Sequence, residues 1–159
     1  MKKILFVCTG NTCRSPMAQY LFNKKSATAD LQGQYEAYSA GIFAEGEPAS
    51  YGASKAMEKR QINMQAHRAK PVKEEEIKEA VAVLCMTAAH AAVLRNRYSA
   101  YKTKIQSLAS YIGTGKDIAD PYGGNAEMYE KTAQQIETYI EKLIEKLKGS
   151  QYNENSHRQ

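Results

Sequence analysis

The sequence predicts a three-layer α/β fold in a single domain. Two continuous apolar runs, at residues 3–7 and 80–86, and two weaker strand patterns, at 35–40 and 104–108, are separated by helical stretches. Continuous apolar runs are typical of strands covered on both faces, as in a parallel sheet. Strands that alternate with helices predict helices on both sides of the sheet and ligand sites at the carboxyl ends of the strands.

The first strand, residues 3–7, ends directly before Cys8. A loop of small and turn-forming residues runs from there to Arg14, and Ser15-Pro16 opens a helix that we expect to end near residue 31. Proline fits the first turn of a helix because its missing N–H needs no partner there. Cys8 is therefore expected at the start of a loop that leads from a buried strand into a helix.

The remaining elements continue this alternation. Strands are expected over 35–40, 80–86 and 104–108, and helices over about 49–60, 73–79, 87–97 and 125–148. The last helix carries one apolar stripe, formed by Tyr129, Thr132, Ile136, Ile140, Leu143 and Leu147. Gly149 fits the end of this helix. We expect residues 1–148 to form the domain and the polar tail, 149–159, to be disordered.

Composition and charge argue against several classes of protein. The chain is 43% hydrophobic and 25% charged, as is common for globular proteins. No apolar run approaches the ~20 residues of a membrane span, and the N-terminal run is too short for an export signal. We therefore expect a cytoplasmic protein that does not bind membranes.

The net charge is +5, but the basic residues are mixed with acids and are not interleaved with aromatics. Nucleic acid is not an expected partner, and the charge would help to attract anionic substrates.

The three cysteines do not predict a disulfide framework. Cys8 and Cys13 lie close together in the sequence, and Cys85 lies in an apolar run. The histidines are too far apart in the sequence to complete a metal-ligand pattern with them, so no metal is expected. Cys13 either fills space behind the loop or traps an oxidised Cys8 as a disulfide.

The loop between the first strand and the first helix has the features of a phosphate-binding loop. Successive backbone N–H groups and a helix N-terminus attract anions, and Gly10 permits a tight curl. Asn11 is one of the few residue types that accept a left-handed conformation. The fork of Arg14 can hold two phosphate oxygens. The same field would stabilise a thiolate at Cys8, which could attack phosphorus and form a phosphocysteine.

Two further residues complete this chemistry. Ser15 could donate its hydroxyl to the sulfur and make the thiolate a better leaving group in the second step. The first step needs an acid for the substrate's leaving group. Asp120 is the candidate, because Pro121 would hold it in an extended, loop-borne position. A plain Asp-Pro turn is the alternative interpretation.

Two segments resemble the signatures of the low-molecular-weight protein tyrosine phosphatases. They are Cys8-Thr9-Gly10-Asn11-Thr12-Cys13-Arg14-Ser15-Pro16 and Asp120-Pro121-Tyr122. Ser39-Ala40-Gly41 resembles the element that follows the family's second strand, and the likeness extends over about residues 1–148. The resemblance implies a flavodoxin-like fold with a four-stranded parallel sheet and no metal or other cofactor.

The resemblance also implies roles for individual residues. Cys8 would be the nucleophile, Arg14 the phosphate clamp, and Asp120 the general acid and later the base that activates water. The residues of the phosphate-binding loop would be Thr9, Gly10, Asn11, Thr12, Cys13 and Ser15. Ser39 and His67 match the polar network that supports the family's loop, together with Asn11 and Ser15. Phe43 and Tyr122 match the aromatic walls of its substrate cleft.

The sequence departs from the family's common pattern at two positions. Gly123 stands where a second aromatic residue often follows the wall residue, and Thr12 stands where an apolar residue is usual. At both positions the sequence resembles the bacterial branch of the family that dephosphorylates phosphoarginine in proteins. A guanidinium would favour a hydroxyl and a carboxylate, whereas a tyrosine ring would pack on an apolar side chain. We therefore favour phosphoarginine over phosphotyrosine, although Thr12 could simply replace valine in packing.

Three other functions use similar parts. A cysteine phosphocarrier must keep its phosphoryl group, so an acid that activates water would work against it. An arsenate reductase needs two more redox cysteines in a flexible segment, and Cys85 lies in an apolar run. A phosphopeptide-binding module needs no thiolate. The combination of nucleophile, clamp and acid favours a phosphatase, and we expect it to act on phosphorylated proteins as a monomer.

Overall fold

The computed structural model describes residues 1–31 and 33–157, and its centre is one parallel sheet of four strands. The strands are β1 (Lys2–Cys8), β2 (Tyr35–Gly41), β3 (Ala80–Cys85) and β4 (Ile105–Ser107). Their order in the sheet is β2-β1-β3-β4, and every neighbouring pair is parallel. This is the order of a flavodoxin-like sheet with one strand fewer, so the predicted fold class is confirmed.

Helices cover both faces of the sheet. They are α1 (Arg14–Thr28), α2 (Tyr51–Glu58), α3 (Glu74–Glu79), α4 (Ala88–Arg97), α5 (Leu108–Ile112) and α6 (Ala126–His157), and a 3-10 helix spans Ser99–Lys104. Residues of α1, α2, α5 and α6 share one core cluster, and those of α3 and α4 share the other. The result is the three-layer arrangement that the alternation of elements predicted.

Strand β1 is buried on both faces. Ile4 and Phe6 belong to the core beneath α1 and α6, whereas Leu5 and Val7 belong to the opposite core. All four side chains are at most 2% exposed. This burial explains why the strand is a continuous apolar run, since successive side chains point to opposite faces of a sheet.

The structure corrects two expected helix ends. Helix α1 ends at Thr28 instead of near residue 31. Helix α6 continues through Gly149 to His157, so residues 149–157, expected to be disordered, are helical. One glycine in a helix interior costs only about 1 kcal/mol relative to alanine, so Gly149 does not by itself end the helix. Residues 158–159 of the expected tail lie outside the described residues.

The described part of the chain has no helix that is both long and apolar enough to cross a membrane. Within the same residues, no cluster of three or more histidine, cysteine, aspartate or glutamate side chains is placed to hold a metal ion.

Candidate active site

The loop from Cys8 to Arg14 lies at the carboxyl end of β1. β2 lies on one side of β1 and β3 on the other, so the chain reverses its direction across the sheet at this point. Such a switch point is the usual place for a ligand in an open α/β sheet. The structure therefore places the predicted phosphate-binding loop, followed by the N-terminus of α1, where the fold is suited to bind an anion.

Most carbonyl groups of the loop accept hydrogen bonds from the surrounding structure. Cys8 and Thr9 accept from the N–H groups of Ile42 and Phe43 at 3.0 and 2.8 Å. Thr12 accepts from Ser50 N–H at 2.8 Å. Among the described residues, no protein acceptor is found for the N–H groups of Thr9, Gly10, Thr12 and Cys13. With the carbonyls tied to the surrounding structure, these donors are available for an anion.

Asn11 fixes the curl of the loop. Its φ of 56° is in the left-handed region, as expected for this residue type. The side chain is fully buried. Its amide donates to Ser15 Oγ at 2.8 Å, and its Oδ1 accepts from Lys70 N–H at 3.1 Å. Asn11 thus joins the loop to both α1 and the segment before α3.

The sulfur of Cys8 has two close polar neighbours. Ser15 Oγ lies 2.9 Å from Cys8 Sγ, and the N–H of Asn11 donates to the same sulfur at 3.3 Å. Ser15 Oγ accepts from the amide of Asn11, and its own proton has two acceptors within reach, the sulfur of Cys8 at 2.9 Å and the carbonyl of Ala40 at 3.5 Å. The shorter contact favours donation to the sulfur. Two donors on one sulfur suit a thiolate nucleophile and leaving group.

Arg14 and Asp120 meet at the cleft. The guanidinium of Arg14 donates from Nη1 to the carbonyl of Ile118 at 3.0 Å, and its Nη2 lies 3.6 Å from Asp120 Oδ2. The side chain of Arg14 is 7% exposed and that of Asp120 is 51% exposed. Asp120 Oδ1 accepts from Tyr122 N–H at 3.1 Å. A fixed guanidinium beside a half-exposed carboxylate is suited to hold a phosphoryl group while a proton is exchanged with its leaving group.

The loop, Arg14 and Asp120 line one cleft of about 560 Å³. Tyr122 forms part of its wall and is 85% exposed. Phe43 lies beside the loop through its backbone bond to Thr9, but its side chain is 73% exposed and does not line the cleft. The structure thus places one of the two expected aromatic walls in the cleft and the other outside it.

Two residues were expected to support the loop. Nε2 of His67 lies 2.7 Å from the carbonyl of Asn11 and donates to it, since a carbonyl can only accept. Burial lowers the pKa of His67, so the ring is neutral at pH 7. Ser39 Oγ instead bonds Gln19 Oε1 on α1, so its effect on the loop is indirect.

Sequence reasoning assigned no supporting role to three further residues, of which it quoted only Gly41, as part of a motif. Ser50 caps the N-terminus of α2 and lines the cleft. His90 bonds Thr9 Oγ1 at 2.8 Å and Thr87 Oγ1 at 2.9 Å, and burial lowers its pKa. At Gly41 a Cβ would lie 2.7 Å from the carbonyl of Thr9, so only glycine fits. Serine before a helix is a recognisable cap signal, but the other two contacts join distant segments and leave no local pattern.

The other two cysteines are buried. Burial raises the pKa of Cys13 and of Cys85 to about 12, so both are thiols at neutral pH. Cys85 lies within the core of the sheet beneath α4, whereas Cys13 lines the cleft. All three cysteines are free.

Comparison with known proteins agrees with this geometry. A family model described as low molecular weight phosphotyrosine protein phosphatase matches residues 3–153. The chain belongs to this family. A protein-arginine-phosphatase of Geobacillus stearothermophilus is 44% identical over 151 residues, which are 94% of this chain and 98% of the relative.

Two solved structures extend the comparison. A low molecular weight protein tyrosine phosphatase from T. tengcongensis is 46% identical, with a TM-score of 0.87 over 92% of this chain and 99% of that chain. A YwlE arginine phosphatase mutant with a phosphorylated active-site serine in place of cysteine is 34% identical, with a TM-score of 0.85 over 92% of this chain and 95% of that chain. As a member of the low molecular weight phosphatase family, this chain is a protein phosphatase.

Proposed function

We propose that Cys8, Arg14 and Asp120 carry out a two-step phosphoryl transfer. The Cys8 thiolate attacks phosphorus and forms an S–P bond, while the P–N or P–O bond of the substrate breaks and Asp120 gives its proton to the leaving group. In the second step Asp120 takes a proton from water, the new hydroxide oxygen bonds phosphorus, and the S–P bond breaks. Arg14 and the N–H groups of the loop bind the phosphoryl oxygens throughout.

We further propose phosphoarginine in proteins as the substrate. The observation that carries this proposal is the side chain of Thr12, which lines the cleft and whose hydroxyl has no hydrogen-bond partner among the described residues. A guanidinium leaving group could donate to this hydroxyl and to the carboxylate of Asp120. The 44% identity to a protein-arginine-phosphatase supports the same substrate. Phosphotyrosine is the second candidate, since Tyr122 offers an aromatic wall and a relative of similar identity is named a tyrosine phosphatase.

A pair of matched variants tests the substrate. Thr12→Val removes the hydroxyl and keeps the shape, whereas Thr12→Ser keeps the hydroxyl and removes a methyl group. A hydrogen bond to a charged partner contributes ~1.5–3 kcal/mol, which is roughly ten- to a hundredfold in relative kcat/KM. We expect Thr12→Val, and also Thr12→Ile, to shift preference from phosphoarginine toward phosphotyrosine peptides by that factor, and Thr12→Ser to shift it much less. A shift below about threefold in Thr12→Val would mean that Thr12 only packs, and phosphotyrosine would then be favoured.

We also propose a cellular location and an oligomeric state for the enzyme. We place the enzyme in the cytoplasm, where its three free cysteines suit a reducing compartment. Loop, clamp, acid and cleft wall all come from one chain, so a monomer would suffice.

A further inference from the structure

A second cleft, of about 540 Å³, lies beside the catalytic cleft. It is bounded by α2 on one side and by residues 123–130 on the other, and we call it the flanking groove. Gly123 and Tyr129 line both clefts. A chain whose phosphorylated residue occupies the catalytic cleft could therefore continue directly into the flanking groove.

Two glycines, Gly123 and Gly124, lie at the boundary between the two clefts. Gly123 has a φ of 77°, a conformation that other residues rarely adopt. At Gly124 a Cβ would lie 2.8 Å from the carbonyl of Pro121. No side chain stands at either position, and Gly123 itself lines both clefts. The missing second aromatic residue thus opens a path for the substrate chain.

The floor of the groove is formed by close helix packing. At Gly52 a Cβ would lie within 2.5 Å of the ring of Tyr129, so glycine allows α2 to approach that ring directly. Tyr51, at the start of α2, is 79% exposed and offers an aromatic face at the edge of the groove. The groove therefore has fixed, partly apolar walls.

The charge of the flanking groove is positive. Lys55 and Lys59 are one helical turn apart and both exposed. The side chain of Lys59 has no hydrogen bond or ion pair within the described part of the chain. Lys55 Nζ pairs with exposed Glu58 at 3.2 Å and lies 5.4 Å from the centre of the Tyr51 ring. The carboxylate of the groove, Glu130, accepts from both terminal nitrogens of Arg60, at 2.7 and 3.1 Å. Arg60 also pairs with Glu137 at 3.4 Å and so offsets the charge of Glu130 only in part. The lining still carries two lysines against one carboxylate, so its net charge is positive.

We propose that the flanking groove binds the stretch of substrate protein next to the phosphorylated residue and selects stretches that carry aspartate or glutamate. Lys55 and Lys59 supply the complementary charge, and the exposed ring of Tyr51 supplies packing surface for the peptide. This inference rests on the proposed function, because it requires a phosphorylated protein in the catalytic cleft. It adds that the surrounding sequence, and not the phosphorylated residue alone, determines the rate.

The test compares kcat/KM on peptides with one central phosphoarginine, and on a parallel set with phosphotyrosine. Each set carries acidic, neutral or basic residues on the N-terminal or the C-terminal side. Exposed ion pairs are weak individually, so two of them should give the acidic peptides an advantage of about three- to tenfold over neutral ones. The advantage should shrink at high salt. It should disappear in Lys55→Gln/Lys59→Gln and reverse in Lys55→Glu/Lys59→Glu.

A control separates local from overall charge. Lys78→Gln/Lys102→Gln removes the same charge from exposed lysines on the α3–α4 side of the sheet and should keep the acidic preference. Equal kcat/KM across the flanks in the wild type, or an unchanged preference in Lys55→Gln/Lys59→Gln, would overturn the groove proposal alone. Turnover of a small aryl phosphate without turnover of any phosphopeptide would overturn the proposed function as well.

Discussion

Replacement of Asn11 by alanine should destabilise the folded protein markedly. The change removes a side-chain hydrogen bond to Ser15 at 2.8 Å and one to the Lys70 N–H at 3.1 Å. Two such bonds contribute about 1–3 kcal/mol together. Alanine must also adopt the φ of 56°, which costs a further ~1 kcal/mol or more. We expect a loss of about 2–4 kcal/mol, or roughly 4–16 °C in Tm for a chain of this size.

Asn11→Gly is the matched control, because glycine loses the same hydrogen bonds but accepts the left-handed conformation. Its stability should lie between the wild type and Asn11→Ala, about 1 kcal/mol above the latter. Urea unfolding followed by far-UV circular dichroism, without phosphate, measures all three free energies of unfolding. An Asn11→Gly protein as stable as the wild type would show that the hydrogen bonds contribute nothing. An Asn11→Ala protein at least as stable as Asn11→Gly would show that the backbone conformation carries no cost.

Four further predictions concern catalysis, oxidation and pH. Cys8→Ser should lose turnover but still be stabilised by phosphate in a thermal shift assay; more than trace activity would contradict the nucleophile assignment. Asp120→Asn should slow hydrolysis of phosphopeptides far more than that of aryl phosphates with good leaving groups, and equal slowing would mean that Asp120 only positions the substrate. Peroxide should produce a Cys8–Cys13 disulfide that thiols reverse, with mass spectrometry as the readout; because burial raises the pKa of Cys13 to about 12, the bond should form faster as pH rises from about 7 to 9. Burial lowers the pKa of His67 below its usual 6.5, so the unfolded chain binds a proton first as pH falls. The contribution of His67 to the free energy of unfolding should be constant well above pH 6.5 and decrease as pH falls through 6.5, so that the decrease is less steep in His67→Gln.

The sequence was most informative where one local pattern has one structural solution. The apolar run of β1 and the glycine and asparagine after it predicted a buried strand and a curled loop, and φ at Asn11 confirms the curl. The apolar stripe of the last helix is likewise buried along its length, at Tyr129, Thr132, Ile136, Ile140, Leu143 and Leu147. These features follow from burial and backbone sterics, which act over a few residues.

The sequence was least informative where contacts join distant segments. His90 bonds Thr9, which lies 81 residues away in the sequence, and nothing near either residue predicts that bond. Helix α5 is only five residues long and ends at Gly113, whose φ is 81°, so its apolar spacing is too short to recognise. The end of α6 was misplaced for a third reason: Gly149 is a weak stop signal, and a stable helix can pass through it.

The hydrogen bonds of the loop carbonyls should also determine when the loop can form during folding. Cys8 bonds Ile42, Thr12 bonds Ser50, and Asn11 bonds His67, so each bond closes a long segment of chain. Closure entropy opposes such contacts until β2 and α2 have docked on β1. We therefore expect the anion site to form late in folding, after the transition state. A bound phosphate should then slow unfolding and leave the folding rate nearly unchanged, so that the occupied enzyme stays folded for longer.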